Sequence, residues 1–228
     1  MSAAPQQLVD VLRPVKHVLL DFDGPVCSVF AGLPAREVAR RLREGLLASS
    51  EQVPAAGETE RDPLALLRLV ADARPDLAAS ADAALAALET EAVRIGTPNP
   101  GGESVLLACA RSGRSVSVVS NNAGAAIEAY LTDHGLSDYV TGVFGRVPGD
   151  PSSMKPNPRL LLDAMEAVGA KPAECVFIGD AARDVEAGNA AGVSTIGYAN
   201  KPGKDAKLAA AGAVAIVESM QQIADALF

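Results

Sequence analysis

A doubly wound α/β fold, a parallel sheet with helices on both faces, is the class this sequence predicts, with an all-helical segment inserted after the first strand. Three observations predict it. The run His17-Val18-Leu19-Leu20 is apolar and stops at Asp21-Phe22-Asp23-Gly24, as a strand buried on both faces and ending in a turn does. From Glu103 onward, short apolar runs alternate with helical patterns, which is how parallel strands joined by crossover helices read. Between these regions, from Cys27 to about Thr97, strand-like runs vanish and Ala, Leu, Arg and Glu recur at helical spacing. The implied division is an α/β core of residues 1–26 plus 99–228 and a helical cap of residues 27–98.

A short amphipathic segment, Gln6 to Leu12, precedes the first strand. Pro34 opens a helix with the stripe Val38, Leu42 and Leu46, and Asp62-Pro63 opens another with Leu64, Leu67 and Val70, because proline suits the first helical position. Ser49 to Glu60, polar and interrupted by Pro54 and Gly57, reads as the loop between them. A third helix is expected over Asp76 to Arg94, and Gly96 to Gly102 reads as a hinge back to the core on which the cap would pivot. Beyond it, helix Glu103 to Arg111 leads to strand Val116 to Val119, and helix Ala125 to His134 to a strand near Tyr139 to Phe144. Helix Pro158 to Val168 then leads to strand Cys175 to Ile178, and helix Ala182 to Ala191, closed by Gly192, to strand Ser194 to Tyr198. A helix over Asp205 to Ala211, the run Ala213 to Val217 and a helical tail Ser219 to Leu227 complete the pattern.

Composition narrows the function classes. With 228 residues, 49% of them hydrophobic, the chain can bury one good core and carry a small appended domain. A net charge of −8 opposes nucleic acid as a partner, since that association needs basic patches. No apolar run approaches the roughly 20 residues that span a bilayer, and the first residues lack the pattern of a signal peptide. A cytoplasmic protein with no membrane partner is expected. The 3 cysteines are far apart and include no C-x-x-C pair, so they read as reduced thiols.

Ligands of doubly wound sheets bind beyond the carboxyl ends of the strands, and that is where the chemistry-bearing residues fall. Asp21 and Asp23 close the first strand, Ser120 and Asn121 the second; Lys155 is held out of helical geometry by Pro156, and Gly179-Asp180 closes the fourth strand, with Asp184 at the helix start beyond it. Each has an ordinary explanation alone. Asp-Gly is a common turn, Ser, Asn and Asp are common helix caps, and a lone lysine is usually solvated. Together, four carboxylates and one lysine converge on one sheet edge.

In order and spacing, Asp21-Phe22-Asp23-Gly24, Ser120, Lys155 and Gly179-Asp180-Ala181-Ala182-Arg183-Asp184 resemble the four signature pieces of the haloacid dehalogenase superfamily of phosphatases. The phosphoglycolate phosphatase-like and β-phosphoglucomutase-like members look most alike. The resemblance covers essentially the whole chain, because the helical insert looks like the small helical cap of that superfamily. It implies an aspartyl-phosphate on Asp21, Asp23 as general acid and base, and Ser120, the Asn121 backbone N–H and Lys155 as phosphate-binding groups. It also implies Mg²⁺ on Asp21, the Asp23 backbone carbonyl and Asp180, with Asp184 as ligand or support. Pro25 stands where the family usually has Thr, Ala181 where Ser is common, and Cys27-Ser28 where an acidic residue often follows. Charge argues for the metal independently: a phosphate dianion meets repulsion of about 4 kcal/mol per unit charge pair at about 4 Å and an effective dielectric of about 20. One lysine cannot offset that, and a hard divalent cation can.

The implied activity is Mg²⁺-dependent hydrolysis of a small organic phosphomonoester by a monomer or homodimer. A phosphotransferase such as a sugar phosphomutase is the alternative, which the absence of histidine and lysine from the insert disfavours. A phosphate-binding regulator without catalysis is a third reading. Most arginines of the insert read as solvated or i,i+4-paired, with Arg36 and Arg61 the expected readers of the substrate.

Overall fold

The computed structural model describes residues 6–48 and 54–227, so part of the loop expected over Ser49 to Glu60 lies outside the described residues. In chain order come α1 (Gln6–Leu12), β1 (His17–Leu20), β2 (Cys27–Ser28), α2 (Ala35–Ala48), α3 (Pro63–Ala73), α4 (Ala78–Arg94) and β3 (Thr97–Pro98). Then follow α5 (Pro100–Arg111), β4 (Ser115–Ala123), α6 (Gly124–Asp133), β5 (Gly142–Arg146), α7 (Arg159–Ala167), β6 (Cys175–Gly179) and α8 (Ala182–Ala191). The chain closes with β7 (Ser194–Tyr198), α9 (Lys204–Ala211), β8 (Ala215–Val217) and α10 (Met220–Ala226).

Six strands form one sheet in the order β5-β4-β1-β6-β7-β8, every neighbouring pair parallel. β1 lies in the middle, with Leu20 level with Val118 on one side and Ile178 on the other. Its alternating side chains are buried on both faces. Val18 and Leu20 join the cluster that holds Leu8 and Leu12 of α1, Leu106 of α5, Ile127 of α6 and Ile223 of α10. Leu19 joins Val119 and Phe177 against Leu160, Leu161 and Met165 of α7 and Ala187 of α8. This two-sided burial is why the strands read as continuous apolar runs.

Local chemistry sets the helix ends. Asp62 caps α3 by accepting from the backbone N–H groups of Leu64 and Ala65, with Pro63 at the first position. Gly192 ends α8 in the left-handed region at φ 72°. Ser219 caps α10 in a capping box with Gln222. Between β2 and β3 the described residues hold only helical elements and connections, and the two strands pair antiparallel, Cys27 with Pro98 and Ser28 with Thr97. The two passages between insert and core are thus tied to each other.

Two expectations need correction. The hinge read over Gly96 to Gly102 is shorter, because α5 starts at Pro100 under an Asn99 cap that accepts from the Gly101 N–H. Its glycines answer to packing: a Cβ on Gly101 would lie 2.7 Å from the Met220 Cβ, and one on Gly102 2.3 Å from the Pro25 carbonyl oxygen. The strand expected near Tyr139 to Phe144 is Gly142–Arg146, and Ser137–Tyr139 is a single 3₁₀ turn. Gly145 lets β5 pass the start of α6, where a Cβ would come 2.4 Å from the Gly124 backbone nitrogen.

Candidate active site

β1 delivers Asp21 to the sheet edge, and the Asp21 N–H continues the ladder by donating to the Ile178 carbonyl at 2.9 Å. The chain then turns tightly. Gly24 takes φ 108°, its N–H donates to the Cys27 carbonyl at 2.7 Å, and Asp23 Oδ1 accepts from the Val29 N–H at 3.0 Å. A side chain on Gly24 would place its Cβ 2.5 Å from Asp180 Oδ2, so only glycine fits beside that carboxylate.

Lys155, 1% exposed, is the centre of the charge cluster. Its Nζ lies 2.8 Å from Asp21 Oδ1 and 2.7 Å from Asp184 Oδ1, and donates to the Val119 carbonyl at 3.1 Å. The Asn121 carboxamide fixes the lysine's backbone, accepting from Lys155 N–H at 2.8 Å and donating to its carbonyl at 3.2 Å. Asp184 Oδ2 accepts from the N–H groups of Asp180 and Ala181 at 3.1 and 2.9 Å, so it caps α8 and pairs Lys155 at once. Asp184 Oδ1 meets Lys155 as an ion pair without an aligned hydrogen bond. Asp180 Oδ2 accepts from Asn200 Nδ2 at 2.8 Å and from Lys204 Nζ at 2.5 Å.

Burial and crowding shape the charges. Desolvation pushes the Asp21 carboxyl up to about 7; Lys155 pulls against this, while Asp184 and Asp180 add to it. Asp23 is pushed up to about 6, again mainly by burial, with the Val29 N–H opposing. Burial works against the Lys155 charge, yet Asp184 and Asp21 outweigh it and hold the lysine above its ordinary value.

Asp23, Gly24, Phe30, Asp180, Arg183, Asn200 and Lys204 line a cavity of about 520 Å³, which Asp180 joins to this cluster. Residues 15–192 match the family model of haloacid dehalogenase-like hydrolases. The chain belongs to that family. Over 135 residues it is 36% identical to a plasmid-encoded phosphoglycolate phosphatase of Cupriavidus necator, covering 57% of this chain and 55% of that protein. A phosphoglycolate phosphatase of Rhodospirillum rubrum is 29% identical over 131 residues, 55% of this chain and 51% of the relative. The chain thus matches about half the length of these curated relatives. A solved structure titled as a predicted phosphatase from Clostridium acetobutylicum superposes with a TM-score of 0.70 at 19% identity, over 92% of this chain and 96% of the other. That likeness establishes the shared fold.

In this haloacid dehalogenase-like hydrolase, Asp21, Lys155, Asp180 and Asp184 come together as the sequence predicts. The carboxylates of Asp21, Asp180 and Asp184 each bring an oxygen within 4.8 Å of the others. Oxygen donors only, brought together where burial first and the neighbouring Asp184 and Asp180 second push the Asp21 carboxyl up, suit a hard divalent cation. The side chain of Asp23 stands outside that trio and faces the cavity. Ser120 is buried inside β4, which runs on to Ala123 beyond the expected end at Val119, and its hydroxyl donates to Asn122 Oδ1 at 3.1 Å.

Sequence reasoning missed Asn200 and Lys204, and it grouped Arg68 with the other arginines of the insert. Asn200 and Lys204 follow the carboxyl end of β7 as Asp21 follows that of β1, so the same edge rule points to them. Arg68 of α3 donates to the Lys155 carbonyl at 3.0 Å. Arg36 and Arg61, the expected readers of the substrate, are exposed. Elsewhere on the insert, Arg40 pairs with Glu37 and Glu44 along its own helix, as expected.

Proposed function

We propose that this chain is a Mg²⁺-dependent phosphatase that hydrolyses a small organic phosphomonoester through an aspartyl-phosphate on Asp21. One observation carries the reading: a buried Asp21 carboxylate, 2.8 Å from Lys155, lies beside Asp180 and Asp184, and Asp180 shares a cavity wall with Asp23. The names of the curated relatives make 2-phosphoglycolate the first ester to try.

Asp21 attacks phosphorus, forming a bond from its carboxylate oxygen as the bond to the ester oxygen breaks. Asp23 gives its proton to that departing oxygen, a task suited to a carboxyl near pKa 6. The carboxylate left on Asp23 then takes a proton from water, whose oxygen attacks phosphorus and frees Asp21 and inorganic phosphate. Lys155, Ser120 and the Asn121 backbone N–H hold the phosphoryl oxygens, where charge stabilisation supplies most of the acceleration. Asp21, Asp180 and the Asp23 carbonyl would hold Mg²⁺, with Asp184 steadying the set, and its positive charge would keep Asp21 ionised and draw in the phosphate. Residues 27–98 serve as the cap domain over a core of residues 1–26 plus 99–228, working in the cytoplasm as a monomer or homodimer. Among the described residues no helix is long and apolar enough to cross a membrane. The net charge of −8 opposes nucleic acid as a partner.

The test is a panel of small phosphate esters, 2-phosphoglycolate included, read by phosphate release with and without Mg²⁺. Turnover that needs Mg²⁺ supports the reading. A folded protein that releases no phosphate from any ester, or that releases halide from a 2-haloacid instead, overturns it.

A further inference from the structure

The contact between Lys204 and Asp180 has no place in the phosphoryl chemistry above, and its position is unusual for a lysine. Lys204 is the first residue of α9, entered through Gly203 at φ 77°. A cation at that end opposes the positive end of the helix dipole, so the helix itself gives this ammonium no support. What holds it is Asp180 Oδ2 at 2.5 Å, a carboxylate that Asn200 also grips at 2.8 Å. The lysine lies on the wall of the same cavity as Asp23.

We propose that Lys204 is the resident counter-ion of Asp180, which a divalent cation has to displace, so that this lysine sets the metal affinity of the site. The inference rests on the reading of Asp180 as a metal donor. An ammonium and a divalent cation on one carboxylate repel strongly at a few ångströms. Lysine, a point charge on a flexible four-carbon stem, can leave, whereas the neutral Asn200 amide can keep its hydrogen bond. Before metal binds, Lys204 offsets part of the charge of Asp21, Asp180 and Asp184. Afterwards its ammonium turns into the cavity. Lys204 is thus a positioning residue for Asp180.

The experiment is calorimetric titration of the metal-free, full-length protein with Mg²⁺ and, separately, Mn²⁺ at neutral pH, beside thermal melts with and without saturating metal. Lys204→Met should bind metal on the order of tenfold more tightly, since one nearby unit charge is removed. Lys204→Arg, which keeps the charge, should stay within about twofold of wild type. Without metal, Lys204→Met should melt a few degrees below wild type, roughly what a loss on the scale of one ion pair gives at this size, and saturating metal should close that gap. Lys204→Gln repeats the measurement if the methionine variant is poorly folded. An unchanged or weaker metal affinity in a folded charge-removing variant overturns the inference while leaving the phosphatase reading intact. A wild-type protein that binds neither cation overturns the metal reading and this inference with it.

Discussion

Two buried ionic clusters lie close together here, and they do opposite things. In one, Arg146 of β5 pairs with Asp82 and Glu89 of α4, the three side chains 1%, 7% and 0% exposed. Every oxygen is spoken for: Glu89 accepts from the Ala123 N–H and from Asn122 Nδ2 at 3.0 and 3.1 Å, and Asp82 Oδ2 from the Gly149 N–H at 3.1 Å. Arg146 also donates to the Asn121 carbonyl at 2.8 Å. In the other, Lys155 meets Asp21 and Asp184 at similar burial, yet Asp184 Oδ1 takes no aligned hydrogen bond and Asp21 is pushed up to about 7. Burial is the same, and saturation differs. A cluster whose hydrogen bonds are exhausted clamps α4 onto the ends of β4 and β5. A cluster with bonding capacity left over has something to give a ligand.

The sharpest way to break this comparison is Asp21→Asn. On the proposed mechanism, phosphate release falls on the order of 10⁴–10⁶-fold, the scale of losing a nucleophile. Stability should move the other way. The folded carboxyl titrates near 7 against an ordinary 3.8, so the folded state holds its proton more tightly than the unfolded chain. Stability from this group is therefore present below the ordinary carboxyl range and is lost as pH rises toward about 7. Metal-free Asp21→Asn should melt higher than wild type at pH 8 (about one unit above that titration) and show a flatter melting profile between about pH 5 and 8. A variant that melts lower at pH 8 would place Asp21 among the structural charges, beside Arg146. Asp23→Asn comes next, slowing release by about 10²–10⁴-fold as a lost general acid and base does, with a smaller rise in melting temperature at pH 8 than Asp21→Asn because burial pushes this carboxyl up only to about 6.

Arg146→Met probes the saturated cluster. It leaves Asp82 and Glu89 buried without their cation, which costs about 3–5 kcal/mol, read as a lowered urea midpoint. Molecules that remain folded should keep most of the wild-type rate, because Arg146 contacts the Asn121 carbonyl but none of the Asp21, Asp23 and Lys155 side chains. Loss of kcat with an unchanged midpoint would reverse the assignment of the two clusters.

Much of the candidate site was legible because Asp21, Lys155, Asp180 and Asp184 sit where strands or loops stop, and stops are marked by glycine and proline. The insert was legible for a similar reason: Pro34, Asp62 and Pro63 announce helix starts. Other features left weak local signals. β5 contains Gly142, Gly145 and Arg146, residues chosen for a tight passage and a buried ion pair rather than for strand propensity. Gly101 and Gly102 read as a hinge because glycine means freedom in sequence; in the fold they mean proximity to Met220 and Pro25. Replacing them tests packing before it tests motion. The pairing of Arg146 with Asp82 and Glu89 spans 64 and 57 residues, which no local pattern reveals.

The smallest expected effect sharpens the comparison from outside. Arg41 of α2 grips Glu91 of α4 in two hydrogen bonds of 2.7 and 2.8 Å, a closer match of charges than Arg146 makes with Glu89 at 3.1 and 3.2 Å. Distance alone would rank the Arg41–Glu91 pair above the Arg146–Glu89 pair. Solvent reverses the order: the Arg41 and Glu91 side chains are 35% and 50% exposed, so water solvates both charges once the pair is broken, and salt screens them while it is made. The helices do not depend on it either, since Val38 and Leu42 of α2 and Leu85 of α4 are buried in the shared apolar cluster. Arg41→Ala should therefore leave the urea midpoint within experimental scatter of wild type, with any residual difference erased by added salt. A midpoint drop approaching that of Arg146→Met, persisting at high salt, would mean that geometry outweighs burial in this protein, and the contrast between the two buried clusters would lose its physical basis.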